Sequence, residues 1–143
     1  MFAMKEIEIA DEEKMKLAIS EAQILKDVMT LVAHPNLMEI KKVYHIGSQF
    51  NLLFPLCEGG ELFDRIQREK KFDEKAAARV LHDLVSALHA MHSHNILHLD
   101  IKPENILYVT KDANSLIKLT DFGLSRVCSA SRSYDMIQHV RII

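Results

Sequence analysis

Residues 2–9, with Phe2, Ala3, Met4, Ile7 and Ile9 apolar, predict a short strand. Residues 43–46 and 50–56 predict two more, joined by a turn at Gly47-Ser48, and the three suit one antiparallel sheet. Between them Leu17, Ile24, Leu25, Val28, Leu31 and Val32 recur at helical spacing, so residues 11–32 predict a helix that packs on the sheet and ends before His34-Pro35-Asn36. Gly59-Gly60 breaks the pattern. Residues 61–69 then predict a short helix, and Asp73 is a candidate N-cap for a longer one reaching about Ser93, with Ala77, Val80, Leu81, Leu84, Leu88 and Met91 as its apolar stripe. After Ile96-Leu97-His98 and a loop, residues 106–109 and 116–120 predict a hairpin around a polar turn at 110–115. From Leu124 onward the pattern decays into a Ser-rich stretch, and residues 136–143 show neither period nor cap. The change from strand-rich to helix-rich sequence near Gly59-Gly60 marks two parts, and the expected class is α+β.

Composition narrows what such a fold can do. The 143 residues are 48% hydrophobic and 27% charged, with 18 basic and 20 acidic side chains and a net charge of −2, which suits one soluble domain or part of one. There is no basic footprint for nucleic acid and no polybasic membrane anchor, so neither partner is expected. Two cysteines, Cys57 and Cys128, make no disulfide framework or CxxC pair, and residues 1–16 contain no apolar signal core. The expected location is cytoplasmic, with the nucleus open. Gly47, Gly59, Gly60 and Gly123 are the only glycines, so the chain holds no GxGxxG phosphate loop.

Some residues break the pattern in ways that suggest chemistry. Glu21 lies within the apolar stripe of the first helix, with Leu17, Ile24, Leu25 and Val28 on its face. Burying a lone carboxylate costs several kcal/mol, so a cationic partner is expected, and Lys5 on the adjoining strand is the candidate. The bland alternative is a half-exposed pair of surface charges. Further on, His98-Leu99-Asp100-Ile101-Lys102-Pro103-Glu104-Asn105 precedes the hairpin and Asp121-Phe122-Gly123 follows it. A hairpin returns the chain to the end it left, which sets Asn105 beside Asp121 and offers a hard cation such as Mg²⁺ two oxygen ligands. Asp100 can accept a hydroxyl proton, and Lys102 can neutralise a transferring phosphate.

The ordered set is similar to the HRDLxxxN and DFG signatures of eukaryotic protein kinases, and Asp100-Ile101-Lys102-Pro103-Glu104-Asn105 resembles the serine/threonine class. Phe2-Ala3-Met4-Lys5 resembles the VAIK strand, Glu21 the helix αC glutamate, and residues 54–63 the gatekeeper, hinge and following helix. The resemblance covers residues 2–127. It implies a two-lobed fold, with residues 1–57 as part of the N-lobe, 58–127 as part of the C-lobe and 128–143 as a divergent tail. It implies a transferase that moves the γ-phosphate of ATP to serine or threonine hydroxyls of protein substrates, with Mg²⁺ as cofactor. By resemblance Lys5 holds the α- and β-phosphates, Glu21 orients Lys5, Phe54 is the gatekeeper and the Cys57 backbone binds adenine. Glu61 reaches the ribose, Asp100 is the base, Lys102 contacts the γ-phosphate, and Asn105 and Asp121 hold Mg²⁺. Pro55 is tolerated in the hinge because its carbonyl, not an N–H, is the group needed there.

Leu99 stands where the family usually has arginine, and His98-Leu99-Asp100 most resembles the calmodulin-regulated branch containing death-associated and myosin light-chain kinases. Leucine cannot pair with a phosphorylated activation loop as arginine does. Glu61 and Glu104, acidic near the expected peptide groove, hint at substrates with basic residues near the acceptor. Calmodulin would act only through segments outside these residues. The sequence starts within the VAIK-like strand, without the glycine-rich loop, and contains no APE motif, so weak activity of this stretch alone is expected. The rival reading is a non-catalytic, kinase-like protein that binds nucleotide or a regulatory partner. A third reading is metal binding through His89, His92 and His94, against which stands the ordinary interaction of such histidines with a helix C-terminus. Cys57 and Cys128 read as small buried residues, with a reactive thiol at Cys57 the alternative. Ser129, Ser131 and Ser133 lie near Arg126 and Arg132, and no modification is assigned to them.

Overall fold

The computed structural model describes residues 1–68 and 73–128. Residues 69–72 and the Ser-rich and closing stretches from 129 lie outside them, and so does the expected end of the short helix at Glu69. The first strand, β1 (Phe2–Glu8), alternates in burial, with Ala3, Lys5 and Ile7 turned inward and Phe2 and Met4 exposed. It runs antiparallel to β3 (Gln49–Pro55), which also pairs with β2 (Lys42–Ile46), so the strand order is β1-β3-β2. Gly47, at φ 59, makes the tight turn between β2 and β3, a left-handed conformation that suits glycine.

The first helix is set by its ends. In α1 (Glu12–Asp27) the Asp11 carboxylate accepts the Lys14 N–H, and Glu12 and Glu13 sit at the positive end of the helix dipole. The final turn, Val28–Val32, widens into π geometry and stops at Ala33, whose N–H reaches the Val28 carbonyl with φ at 47. The buried face differs from the expected stripe: Ala18, Glu21, Ile24, Leu25 and Val28 are buried, whereas Leu17 and Leu31 are 49% and 60% exposed. Small Ala18 lies on the same face as Glu21, which turns the helix toward Lys5 and leaves Leu17 outside. The π turn shifts the phase of every residue after Val28, so Leu31 also faces outward.

The loop after α1 is stitched to the far hairpin. Asn36 accepts the Leu119 N–H at 2.8 Å and donates through Nδ2 to the Ile117 carbonyl, and the Met38 N–H reaches the Leu119 carbonyl. These bonds bury Leu37 and Met38 against the hairpin strand Ile117–Leu119, and together with Ile24, Leu25 and Leu52 they form a continuous core. The hairpin consists of β5 (Ile106–Tyr108) and β6 (Ile117–Leu119), in antiparallel register Ile106↔Leu119.

The helical part contains α2 (Leu62–Arg68) and α3 (Glu74–Ser93). Asp73 occupies the N-cap position of α3, but its side chain accepts no hydrogen bond there. On α3 Ala87 and Met91 are fully buried, while Leu81, expected in the stripe, is 60% exposed because the buried face is centred on Val80, Leu84, Ala87, Leu88 and Met91. A further antiparallel pair, β4 (Ile96–Leu97) with β7 (Arg126–Val127), was not evident from the pattern, since two residues carry no period. Gly59 lets the connection before α2 lie against β5: a Cβ there would collide with the Thr110 carbonyl and with Tyr108. No helix among the described residues is long and apolar enough to cross a membrane.

Candidate functional site

Lys5 points inward from β1 and Glu21 inward from α1, so the packing of strand on helix brings them together. The Lys5 Nζ to Glu21 Oε1 distance is 2.8 Å, and the glutamate side chain is 6% exposed. The half-exposed alternative therefore does not apply to Glu21. Lys5 Nζ lies equally close, 2.8 Å, to Asp121 Oδ1. Burial by itself would lower the Lys5 ammonium's pKa, but its hydrogen bonds to Asp121 and then to Glu21 outweigh that and hold the group above its ordinary value. Lys5, Glu21, Asp121, Phe54 and Phe122 line a cavity of about 220 Å³, and Lys5, Glu21, Asp121 and Gly123 line a second of about 490 Å³.

The segment from His98 to Asn105 forms a second group. Asp100 Oδ2 accepts from Lys102 Nζ at 2.8 Å and from Asn105 Nδ2 at 2.9 Å, and Asn105 Nδ2 also reaches the Asp100 carbonyl. The Lys102 ammonium, and after it Asn105, hold the Asp100 carboxyl below its ordinary range, while Asp100 raises Lys102. Asp100 is therefore ionised at neutral pH and offers a hydroxyl proton an acceptor. The two groups meet at the hairpin's open end, where the Thr120 N–H donates to the Asn105 carbonyl at 2.9 Å. Asn105 thus sits beside the residue before Asp121. Its Nδ2 is committed to Asp100, and Asp121 Oδ1 to Lys5, which leaves the Asn105 amide oxygen and Asp121 Oδ2 as hard donors. That donor set fits Mg²⁺, which takes few protein oxygens and keeps its other positions for water and phosphate.

His98 belongs to the motif but had no assigned role in the sequence reading. It is 1% exposed. Its Nε2 lies 3.0 Å from the Thr120 carbonyl, an acceptor, and its Nδ1 faces the Asp100 N–H, a donor, so one neutral tautomer satisfies both. Burial pushes its pKa down, in agreement with that neutral form. The ring stands edge-on to Phe122, with centroids 5.0 Å apart. Only the tertiary fold reveals this, because the acceptor lies 22 residues along the chain.

The segment carrying Cys57 and Glu61 runs against β5 and the residue that follows it. The Glu58 N–H reaches the Val109 carbonyl, and Glu61 bridges Leu107. Burial pushes the Cys57 thiol up, away from the thiolate that a reactive role would need. At the end of α3 the His94 Nδ1 takes the Ala90 carbonyl, and among the described residues no group of three or more His, Cys, Asp or Glu could hold a metal.

The family model of the Protein kinase domain matches residues 1–141. Calcium-dependent protein kinase 34 of Arabidopsis thaliana is 41% identical over 127 residues, covering 87% of this chain and 24% of that protein. The calcium and calcium/calmodulin-dependent serine/threonine-protein kinase of Pisum sativum is 38% identical over 125 residues, covering 87% of this chain and 23% of its own length. Calcium-dependent protein kinase 15 of Oryza sativa subsp. japonica is 45% identical over 95 residues, which are 66% of this chain and 18% of that relative. The chain spans about a quarter of the length of the first two relatives.

Proposed function

The chain belongs to the protein kinase domain family, and from that premise we propose that the protein carrying it transfers the γ-phosphate of Mg·ATP to serine and threonine hydroxyls of protein substrates. The observation that carries this reading is Lys5, held by buried Glu21 and by Asp121 at 2.8 Å each, beside a loop in which Asp100, Lys102 and Asn105 are mutually bonded. Lys5 would bind the α- and β-phosphates, exchanging its bond to Asp121 for phosphate oxygens while Glu21 keeps it in place. Asp100 would orient the acceptor hydroxyl and take its proton late in the transfer, as suits an ionised carboxylate of low basicity. Lys102 would meet the γ-phosphate, and Asn105 and Asp121 would hold Mg²⁺. The metal supplies neutralisation of charge on the phosphate oxygens. Phe54 would close the back of the adenine site, the Cys57 backbone would bind the base and Glu61 the ribose. On this reading residues 1–57 are N-lobe and residues 58–127 C-lobe.

Exposed Glu104 and half-buried Glu61 favour substrates with basic residues near the acceptor. Calcium dependence is in the names of the relatives, and calmodulin would act on this protein only through other segments. His98-Leu99-Asp100 supports a place near the death-associated and myosin light-chain kinases, and a cytoplasmic location suits such signalling.

The test is transfer from ATP to a mixture of basic serine and threonine peptides by the complete protein. Phosphopeptides that disappear with Asp100→Asn, while Mg·ATP binding persists, are the expected result. Binding of Mg·ATP with no transfer by the unaltered protein would replace this reading with a non-catalytic, nucleotide-binding one.

A further inference from the structure

Ser125 has no part in the steps above, yet it is 0% exposed and its hydroxyl is committed. Its N–H closes the turn onto the Phe122 carbonyl, and its Oγ donates to the His98 carbonyl at 3.1 Å. That carbonyl belongs to the peptide unit entering Leu99, which stands at φ 66. Rotation about the Leu99 N–Cα bond is what orients this peptide relative to Leu99. Holding the carbonyl therefore holds the left-handed angle.

The second left-handed residue of the site is Asp121, at φ 63. The carbonyl before it, on Thr120, is likewise held, by His98 Nε2 at 3.0 Å. Each backbone bend that aims an acidic side chain thus has the preceding carbonyl pinned, one by the Ser125 hydroxyl and one by the His98 ring. Leucine needs such help more than aspartate does. It gains no local side-chain hydrogen bond in the left-handed region, where branched and bulky residues are outliers.

We propose that Ser125 is a positioning residue for Asp100: its hydroxyl fixes the His98–Leu99 peptide, and through it the Asp100 N–H on His98 Nδ1 and the direction of the Asp100 carboxylate. This rests on the phosphoryl-transfer reading. Contacts of Lys5 with Glu21 and Asp121 do not run through Ser125, so its loss separates chemistry from nucleotide binding.

The experiment compares Ser125→Ala and Ser125→Thr in the complete protein carrying residues 1–143. Ser125→Ala should lower kcat about tenfold, equivalent to a barrier increase of about 1.4 kcal/mol, with KM for Mg·ATP within about twofold. Ser125→Thr, which keeps the hydroxyl, should recover most of kcat. Should the extra methyl unfold the protein, Ser125→Cys, close to serine in size and a weak donor, serves as the rescue variant. Amide exchange should quicken at Asp100 in the alanine variant while Leu25 and Leu119 keep their protection. Matching losses in kcat and ATP affinity with general loss of protection, or no recovery by a folded hydroxyl variant, would overturn the proposal. If the unaltered protein transfers no phosphate, the kinase reading fails separately, and Asp100 exchange decides: quicker in Ser125→Ala supports positioning, unchanged refutes it.

Discussion

Replacing Lys5 with methionine tests whether Glu21 depends on its partner. At the 2.8 Å separation of Lys5 Nζ and Glu21 Oε1, an effective dielectric constant near 20 gives about 6 kcal/mol of gross attraction. Desolvation of Glu21, whose side chain is 6% exposed, consumes much of that. Removing one member of a fully buried pair costs roughly 3–5 kcal/mol. Lys5 is 39% exposed, so solvent screening brings the expected loss for Lys5→Met down to about 2–3 kcal/mol. The link to Asp121, itself 41% exposed, adds little. Adding Glu21→Leu should return most of the loss, because leucine continues the buried face of Ala18, Leu25 and Val28 and no charge is left unpaired. Urea unfolding of both single variants and the double variant measures this as a coupling energy of about 2 kcal/mol. Additivity within about 0.5 kcal/mol would show that the two side chains do not depend on each other, and would refute the reasoning.

Gly59→Ala should destabilise the protein by roughly 2 kcal/mol or more, since its Cβ would meet the Thr110 carbonyl and Tyr108; an unchanged denaturation midpoint would contradict the close approach. The Asp100 carboxyl, depressed chiefly by Lys102, contributes stability that is complete above its unfolded value of about 3.9 and is lost as pH falls through the lower folded value. Unfolding free energy measured across that acid range should therefore fall less steeply in Lys102→Met, and equal slopes would exclude the link. Leu99 offers no cation to an activation-loop phosphate, so the complete protein should transfer phosphate without that modification. Large activation on phosphorylating the loop would count against this.

The parts of the fold written in local pattern were readable from sequence: the strand at β1, the helix starting near Asp11, the Gly47-Ser48 turn and the long helix before Ser93. Glu21 was also readable, because a carboxylate in an apolar stripe demands a cation and Lys5 lay on the next element. The roles proposed for Asp100, Asn105 and Asp121 rest on ordered motifs and on the hairpin between them, not on periodicity. Features decided by distant contacts were hidden. The face that α1 buries turns toward Lys5, and the π turn after Asp27 cancels the phase that placed Leu31 inside. Asn36 finds its partners on β6, 81 residues away at Ile117, and no local pattern encodes that pairing. Lys5 also binds Asp121, which lies 116 residues along the chain and adopts a left-handed backbone, and His98 acquires its tautomer from Thr120 and Asp100 together.

The most direct measurement is single-turnover transfer of labelled γ-phosphate by the complete protein as Mg²⁺ is raised, with and without Asp121→Asn. The expected result is Mg²⁺-dependent phosphorylation of serine or threonine in the unaltered protein and a loss on the order of 100-fold in the variant. Equal rates in the two proteins would contradict a phosphoryl-transfer site built on Lys5, Glu21 and Asp121.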